Sequence, residues 1–305
     1  MYKVWNEIAE LKNAKQHWEE MISPKGILMV TPKYFDVVDV KNPYMKGQIG
    51  NVKTQLAQQQ WNNLYAVFEN WQKEGVIHSL KTIDGAHHLE DMVFCANPFF
   101  VWTQEDEIPF VLLSNMQFES RQAEVDVFEQ YFKSLSIKTQ RILSEIKIEG
   151  NGDLIPHPGK RTVWMGYGYR TDKEVAKLLT EILEAHIIPL KLVSEHFYHL
   201  DTCFCIINEN HIAICKEAFD EESYQKIKAV FSFVHEISLQ EAKNHFALNS
   251  LVMTSPSGDQ WGIIPKNCDE LQKILLELDV KIQEVDTSEF IKSGGSIYCM
   301  KAFLY

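Results

Sequence analysis

Strand-sized apolar runs alternate with amphipathic stretches from residue 27 to the end of the chain. The runs at 27–31, 110–113, 163–166 and 187–192 are rich in aliphatic and aromatic residues, the pattern of strands buried on both faces. Between such runs, apolar residues recur at spacings of three and four. Leu56, Trp61, Leu64, Val67 and Phe68 predict a helix over 52–71. Further helices are expected over 121–132, from a cap at Thr171 or Asp172 to 186, over 221–230 and over 269–278. Turn residues mark two hairpins. Asn208-Glu209-Asn210 separates 206–207 from 211–215, and Ser-Pro-Ser-Gly-Asp at 255–259 separates 251–254 from 261–264. Shorter strands are expected to start at 76 and to cover 146–148 and 280–285. A last strand follows Gly294-Gly295 and carries a cysteine near its start.

Before residue 27, Val4, Ile8, Leu11, Trp18 and Ile22 make an apolar stripe that predicts a helix over 2–22 docked onto the body. The segment 91–103 reads as a strand broken at Asn97-Pro98, because proline donates no ladder hydrogen bond. Residues 199–206 alternate polar and apolar, so His199 and Asp201 are expected on one strand face, about 7 Å apart. A base beside a carboxylate is a useful catalytic fixture; a polar face touching water is the competing reading. Glu149-Gly-Asn-Gly-Asp153 reads as a tight turn exposing two acids, either functional or simply hydrated.

Composition narrows the class. The chain has 305 residues, of which 45% are hydrophobic and 24% charged, as in ordinary globular proteins. The apolar runs are too short for a transmembrane helix, and the N-terminus lacks an apolar signal core, so no membrane or secretory role is expected. The formal charge of -12 disfavours nucleic acid and mildly favours cationic ligands. Six cysteines without a Cys-x-x-Cys pair suggest reduced thiols in a cytoplasmic protein, one of them a candidate nucleophile. The Cys203-x-Cys205 pair lacks a matching partner pair for zinc, and His87-His88 lacks acidic or thiol company, so no metal site is expected. Gly166-Tyr-Gly-Tyr lacks the residues of a phosphate loop.

Five segments in order, Asp91-Met-Val-Phe-Cys-Ala-Asn97, Glu149-Gly-Asn-Gly-Asp153, His199-Leu-Asp-Thr202, Asn249 and Gly294-Gly-Ser-Ile-Tyr-Cys299, resemble the guanidino-group modifying enzymes. That superfamily includes arginine deiminases, arginine dihydrolases, amidinotransferases and dimethylarginine dimethylaminohydrolases. The resemblance implies an α/β-propeller (pentein) of five ββαβ-type units with pseudo-fivefold symmetry. It covers a single catalytic domain over 26–305, leaving residues 1–25 as a helical extension. It implies Cys299 as nucleophile, His199 as general acid/base and Glu149 as the carboxylate working with it. Asp91, Asn97, Asp201, Asp153 and Asn42 are implied as substrate-binding residues. No cofactor is implied, the substrate is a small cationic guanidino compound, and a homodimer is compatible with the pattern.

The chemistry suits these residue types. A thiolate can attack the electron-poor guanidinium carbon, carboxylates can fix its N–H groups, and a histidine can protonate the departing amine. The product is a covalent thiouronium that water hydrolyses; an amine acceptor would instead make the enzyme an amidinotransferase. A non-enzymatic binding propeller is the third alternative. Asn97 and Asp201 resemble the arginine dihydrolase-like group more than the dimethylarginine hydrolases. In the other direction, relatives usually grip the substrate carboxylate with arginines where this chain has Ser114-Asn115-Met116-Gln117. The expectation is therefore a substrate that lacks the carboxylate or binds it otherwise.

Overall fold

The computed structural model describes residues 2–142 and 145–305. Five three-stranded sheets, each with one long helix, are set in sequence around a common centre. The first contains β1 (Gly26–Val30), helix α1 (Thr54–Lys73) and β2 (Ser79–Ile83). The second contains β3 (Phe99–Thr103), β4 (Pro109–Leu113), α2 (Glu119–Ser134) and β5 (Lys138–Arg141). The third contains β6 (Leu154–Pro156), β7 (Thr162–Tyr167), α3 (Val175–Leu183) and β8 (His186–Lys191). The fourth contains β9 (Phe204–Ile206), β10 (His211–Ile214), α4 (Glu221–Val230) and β11 (Phe233–Glu236). The fifth contains β12 (Leu251–Thr254), β13 (Gln260–Pro265), α5 (Asp269–Glu277) and β14 (Lys281–Val285). The last strand, β15 (Ala302–Leu304), returns to the first sheet and pairs with β1, Leu28 opposite Ala302.

Every blade follows one rule. Its first strand is antiparallel to the middle strand, and its third is parallel to it after the helix. In the second to fifth blades a hairpin joins the antiparallel pair, which in the first blade is β1 with the returning β15, while every parallel pair is joined by the longer helical crossover. The middle strands are apolar on both faces, hence the continuous runs in the sequence. In α1 the buried side is Ala57, Gln60, Trp61, Leu64, Phe68 and Trp71, at helical spacing. Full burial of each of its large side chains contributes about 1.5–3 kcal/mol.

Most third strands are half-exposed edges, but β8 is buried. The N-terminal segment covers it: Trp5 N–H donates to Ile187 O (2.8 Å) and Ile187 N–H to Lys3 O (3.1 Å). This corrects the helix expected over 2–22. Only Ile8–Leu11 is α-helical and Lys15–His17 is a 3-10 turn. Of the expected apolar stripe, Leu11 and Trp18 are buried and Val4, Ile8 and Ile22 are half-buried; Trp5, outside the stripe, is buried as well. Pairing with a sheet edge overrides its helical period.

Three other expectations also change. Residues 91–97 are not strand; a 3-10 turn spans Glu90–Val93, with Phe94 N–H donating to Asp91 O. Residues 146–148 form no named strand; Ile148 makes an isolated bridge to Asn115. His199 begins a 3-10 turn over Leu200–Thr202 rather than a strand, because the Thr202 amide and hydroxyl both bond the His199 carbonyl. Among the described residues no helix is long and apolar enough to cross a membrane.

Candidate active site

The turn that leads into the first strand of each blade carries one of the five sequence motifs. Asp91–Asn97 precedes β3, Glu149–Asp153 precedes β6, His199–Thr202 precedes β9, Asn249 precedes β12, and Gly294–Cys299 precedes β15. Hydrogen bonds link these turns in a closed ring. Ala96 N–H donates to Cys299 O, Asn151 N–H to Ala96 O, and Leu200 N–H to Asp153 Oδ1. Asn249 Nδ2 donates to Asp201 O, and Tyr298 N–H to Asn249 O. The pseudo-fivefold axis thus runs through the site.

Cys299 lies in a turn, not on the expected strand, with Met300 N–H bonded to Ser296 O (3.1 Å) and Lys301 N–H to Tyr298 O. Its thiol donates to Asp201 Oδ2 (3.1 Å) and accepts from Asn249 Nδ2 (3.1 Å). Asn249 Oδ1 accepts from Ser296 N–H and Cys299 N–H, so this one side chain fixes the turn and the sulfur together. Burial, and then the Asp201 charge, push the thiol well above its ordinary range.

His199 Nε2 meets Glu149 Oε2 at 2.7 Å, and Nδ1 faces the Asn97 amide at 3.4 Å. Glu149 also accepts from Gln117 N–H (2.8 Å) and Arg170 Nη1 (3.3 Å). Burial would raise its pKa, but Arg170 and His199 bring it down to about 2. Burial lowers His199 to about 4, against the pull of Glu149. The site therefore holds an ionised Glu149 and a neutral ring that donates Nε2–H to it. Gly152 permits this approach: a Cβ there would stand 2.3 Å from Asn97 Nδ2 and 3.2 Å from His199 Cγ.

A cavity of about 20 Å³ is lined by both Cys299 and His199. That is room for roughly one water. Asp91, Asn97 and Asn42 line it too. Asp91 pairs with Lys41 Nζ (3.0 Å) and accepts from Ser293 Oγ (2.9 Å). Asn42 caps a short turn and donates to Ser293 O. Gly294, at φ +83, passes so close to Asn42 and the Tyr198 hydroxyl that any side chain would collide. Asp201 sits behind the sulfur rather than on the cavity wall. Asp153 is likewise off the wall, with its oxygens bonded to the Thr171 hydroxyl and Leu200 N–H. The Glu149–Asp153 turn is dry, which removes its hydrated-turn reading.

Three cations on the wall escaped the sequence reading. Lys41 comes from the irregular loop after β1, Arg170 follows the glycine-tyrosine stretch after β7, and Arg121 opens α2. Arg121 is committed to Glu124 at 2.7 and 2.9 Å and donates to Asn97 Oδ1. Arg170 lies between the rings of Phe118 and Tyr198 and donates to Lys41 O. The sequence signal for Arg170 was the run of turn residues before it, set aside as no phosphate loop.

Five ββαβ blades closing on a buried cysteine, histidine and glutamate define the guanidino-group modifying superfamily. Within it, the family described as N,N dimethylarginine dimethylhydrolase, eukaryotic, matches residues 31–305, and the chain belongs to that family. Its similarities are broader than this description. The bifunctional arginine dihydrolase/ornithine cyclodeaminase AgrE of Nostoc sp. is 30% identical over 92% of this chain. The chain spans only 38% of that relative's length. The N(G),N(G)-dimethylarginine dimethylaminohydrolase of Mycobacterium tuberculosis is 28% identical, covering 89% of this chain and 83% of its own. Among solved structures, a variant of the N-terminal domain of ArgZ, covalently bound to a reaction intermediate, superposes with a TM-score of 0.82. It is 28% identical and covers 92% of this chain and 97% of that one.

Proposed function

We propose that the protein hydrolyses the guanidino group of arginine or a close analogue through a thiouronium on Cys299. The observation that carries this reading is one cavity lined by Cys299, His199 and the Asp91 carboxylate, with Glu149 bonded to the histidine. Residues 26–305 act as the single catalytic unit.

In this reading the guanidinium takes the place of Lys41 on Asp91, cation for cation. Cys299 attacks the guanidinium carbon, and its thiol proton passes to His199. The histidine hands that proton to the departing amine, leaving a thiouronium on sulfur. The same ring then deprotonates a water, whose attack releases a urea-type product and restores the thiol. Glu149 steadies the imidazolium that forms in each half. Asp201, beside the sulfur, adds a second acid near the guanidinium. That favours an unmethylated group, because each methyl removes an N–H donor, and it supports the dihydrolase-like reading over dimethylarginine. Arg170 offers the positive charge for a substrate carboxylate that Asn115 and Gln117 do not supply. Six free cysteines, all buried, fit a reducing cytoplasmic setting.

The test is a panel of arginine, agmatine, methylarginines and peptidyl-arginine, with ammonia, citrulline and ornithine quantified, and Cys299→Ser as control. Unchanged turnover in Cys299→Ser would sink the mechanism. Interception of the adduct by added glycine or lysine would reassign the protein as an amidinotransferase. Preference for dimethylarginine would restore the activity in the family's description.

A further inference from the structure

The Asn97 side chain hangs from a fixed backbone. Its carbonyl accepts from the Ser114 hydroxyl (2.6 Å) and its N–H reaches Phe94 O (3.4 Å). The amide at its end lies between Arg121 and His199. Arg121 Nη1 stands 3.0 Å from Oδ1, and His199 Nδ1 stands 3.4 Å from Nδ2. A guanidinium carries donors and no acceptor, so the amide atom facing it must be the oxygen. The NH2 is thereby turned to the ring, and it too has nothing to accept with, so Nδ1 must be the bare nitrogen. The far end of the ring agrees, because Nε2 meets the Glu149 carboxylate at 2.7 Å and donates to it. Arg121 is itself held in place. Its Nε and Nη2 form a two-bond pair with Glu124, at 2.9 and 2.7 Å, one turn along α2. Nη2 also reaches the Asp91 and Phe94 carbonyls at 3.3 Å. Both members of the pair are buried. Although Arg121 lies on the cavity wall, its donors are thus directed into the protein.

We propose that Arg121 is a positioning residue that locks the Asn97 amide with its NH2 on His199 Nδ1, so that the ring nitrogen left for the Cys299 proton stays bare. The inference rests on the base role given to His199 above and deepens it. Glu149 alone does not secure this state. An ionised carboxylate at Nε2 favours a ring protonated at both nitrogens. An Asn97 amide free to turn over would present Oδ1 to Nδ1–H and stabilise that imidazolium, which has no lone pair for the thiol proton. Arg121 forbids the turn, because an NH2 facing its own N–H groups would leave donors opposed and buried. The other groups facing the ring are Arg170 from the loop after β7, whose charge opposes an imidazolium as that of Arg121 does, and the Tyr198 ring beside it. Removing Arg121 together with Glu124 deletes a pair of opposite charges. The net charge near the ring is then kept, and the effect of the released amide stands alone.

The test is ¹⁵N spectroscopy of the His199 ring, assigned by the loss of its signals in His199→Gln. In the unaltered protein at about pH 7 the expected signals are a bare Nδ1 and a protonated Nε2. A proton on Nδ1 overturns the proposal, and this arm needs no variant to fold. The second arm is Arg121→Met/Glu124→Met, since replacing both partners of a buried pair is tolerated far better than removing one. Its ring is expected to gain the second proton about one pH unit higher or more, as a neighbour changed from donor to acceptor at a charged group requires. An unchanged midpoint overturns the proposal. A residue that only braced the fold would lower the melting temperature and leave these resonances where they were. With Asn97→Ala already in place, the pair substitution should no longer move the midpoint. A full shift in that background shows that Arg121 does not act through the amide, and overturns the proposal equally. For arginine turnover, the acid limb of kcat/KM should move with the resonance. Failure of the unaltered protein to turn over any guanidino compound would reject the substrate reading, while the ring signals would still decide the role of Arg121.

Discussion

Glu149→Gln tests the centre of the site with almost no change of shape. The wild-type carboxylate accepts from Gln117 N–H, His199 Nε2–H and Arg170 Nη1. An amide keeps one acceptor oxygen and presents N–H groups where the second oxygen stood. At least one donor then loses its acceptor, and Arg170 keeps its charge, buried, without its carboxylate. Removing one partner of a buried pair costs about 3–5 kcal/mol. At about 2.1 cal/mol/K per residue, a chain of this length unfolds with about 0.64 kcal/mol/K, so the melting temperature should fall by about 5–8 °C. The pH dependence supplies the sign. The folded pKa of Glu149, about 2, lies below the unfolded value. Its contribution is thus present above the ordinary carboxylate range and is lost as pH falls towards 2. The stability gap between wild type and Glu149→Gln should be flat from neutrality to about pH 5 and shrink below about pH 4. Thermal melts by near-ultraviolet circular dichroism at several pH values measure the gap. Ammonia release should fall about 100- to 10,000-fold in parallel, as for loss of general acid–base support. A melting temperature within a degree or so of wild type at neutral pH, or a gap that widens in acid, refutes this account of the pair.

Other expectations follow from the same geometry. Gly152→Ala should lower kcat and stability together, by about 1–3 kcal/mol in stability, because its Cβ meets Asn97 and His199; melts and steady-state kinetics check this. His199, with a folded pKa near 4, binds fewer protons folded than unfolded. Its contribution of about 3 kcal/mol is present above the unfolded value near 6.5 and lost as pH falls through 4, so His199→Gln should flatten urea-derived stability across that window. Trp5→Ala, on the segment covering β8, should destabilise by about 3–5 kcal/mol while leaving kcat of the folded fraction unchanged. A haloacetamidine should label wild-type protein at Cys299 and fail with Cys299→Ser, which mass spectrometry of peptides reads directly; labelling of the five other thiols instead would contradict the assignment of the nucleophile.

The helices and hairpins were legible because their signals are local. The apolar spacing in α1 and the turns at 208–210 and 255–259 act over a few residues. The expected helix over 221–230 coincides with Glu221–Val230. Three of the turns that carry the chemistry, at 91–97, 199–202 and around Cys299, look like strand in the sequence because their shape is set from outside, whereas Glu149–Asp153 is legible as a turn. The apolar run through Met92, Val93 and Phe94 looks continuous with β3, yet its backbone bends where the ring of turn-to-turn hydrogen bonds demands it. The N-terminal stripe had the spacing of a helix but met an open sheet edge. Lys41 and Arg170 reach the cavity from irregular loops, where periodicity says nothing about direction. The propeller itself came from the resemblance of the five motifs; patterning alone was equally compatible with other mixed sheets.

Closure of the first blade by the last strand gives the molecule an order in time. During synthesis Asp91, Glu149, His199 and Asn249 all leave the ribosome before Cys299, and the four complete blades can form around them. The first blade waits for β15, whose pairing with β1 spans nearly the whole chain. The turn that orients the Cys299 sulfur is delivered by that same pairing. In the reading proposed above, the pairing of β15 with β1 is what sets the Cys299 turn against the other four.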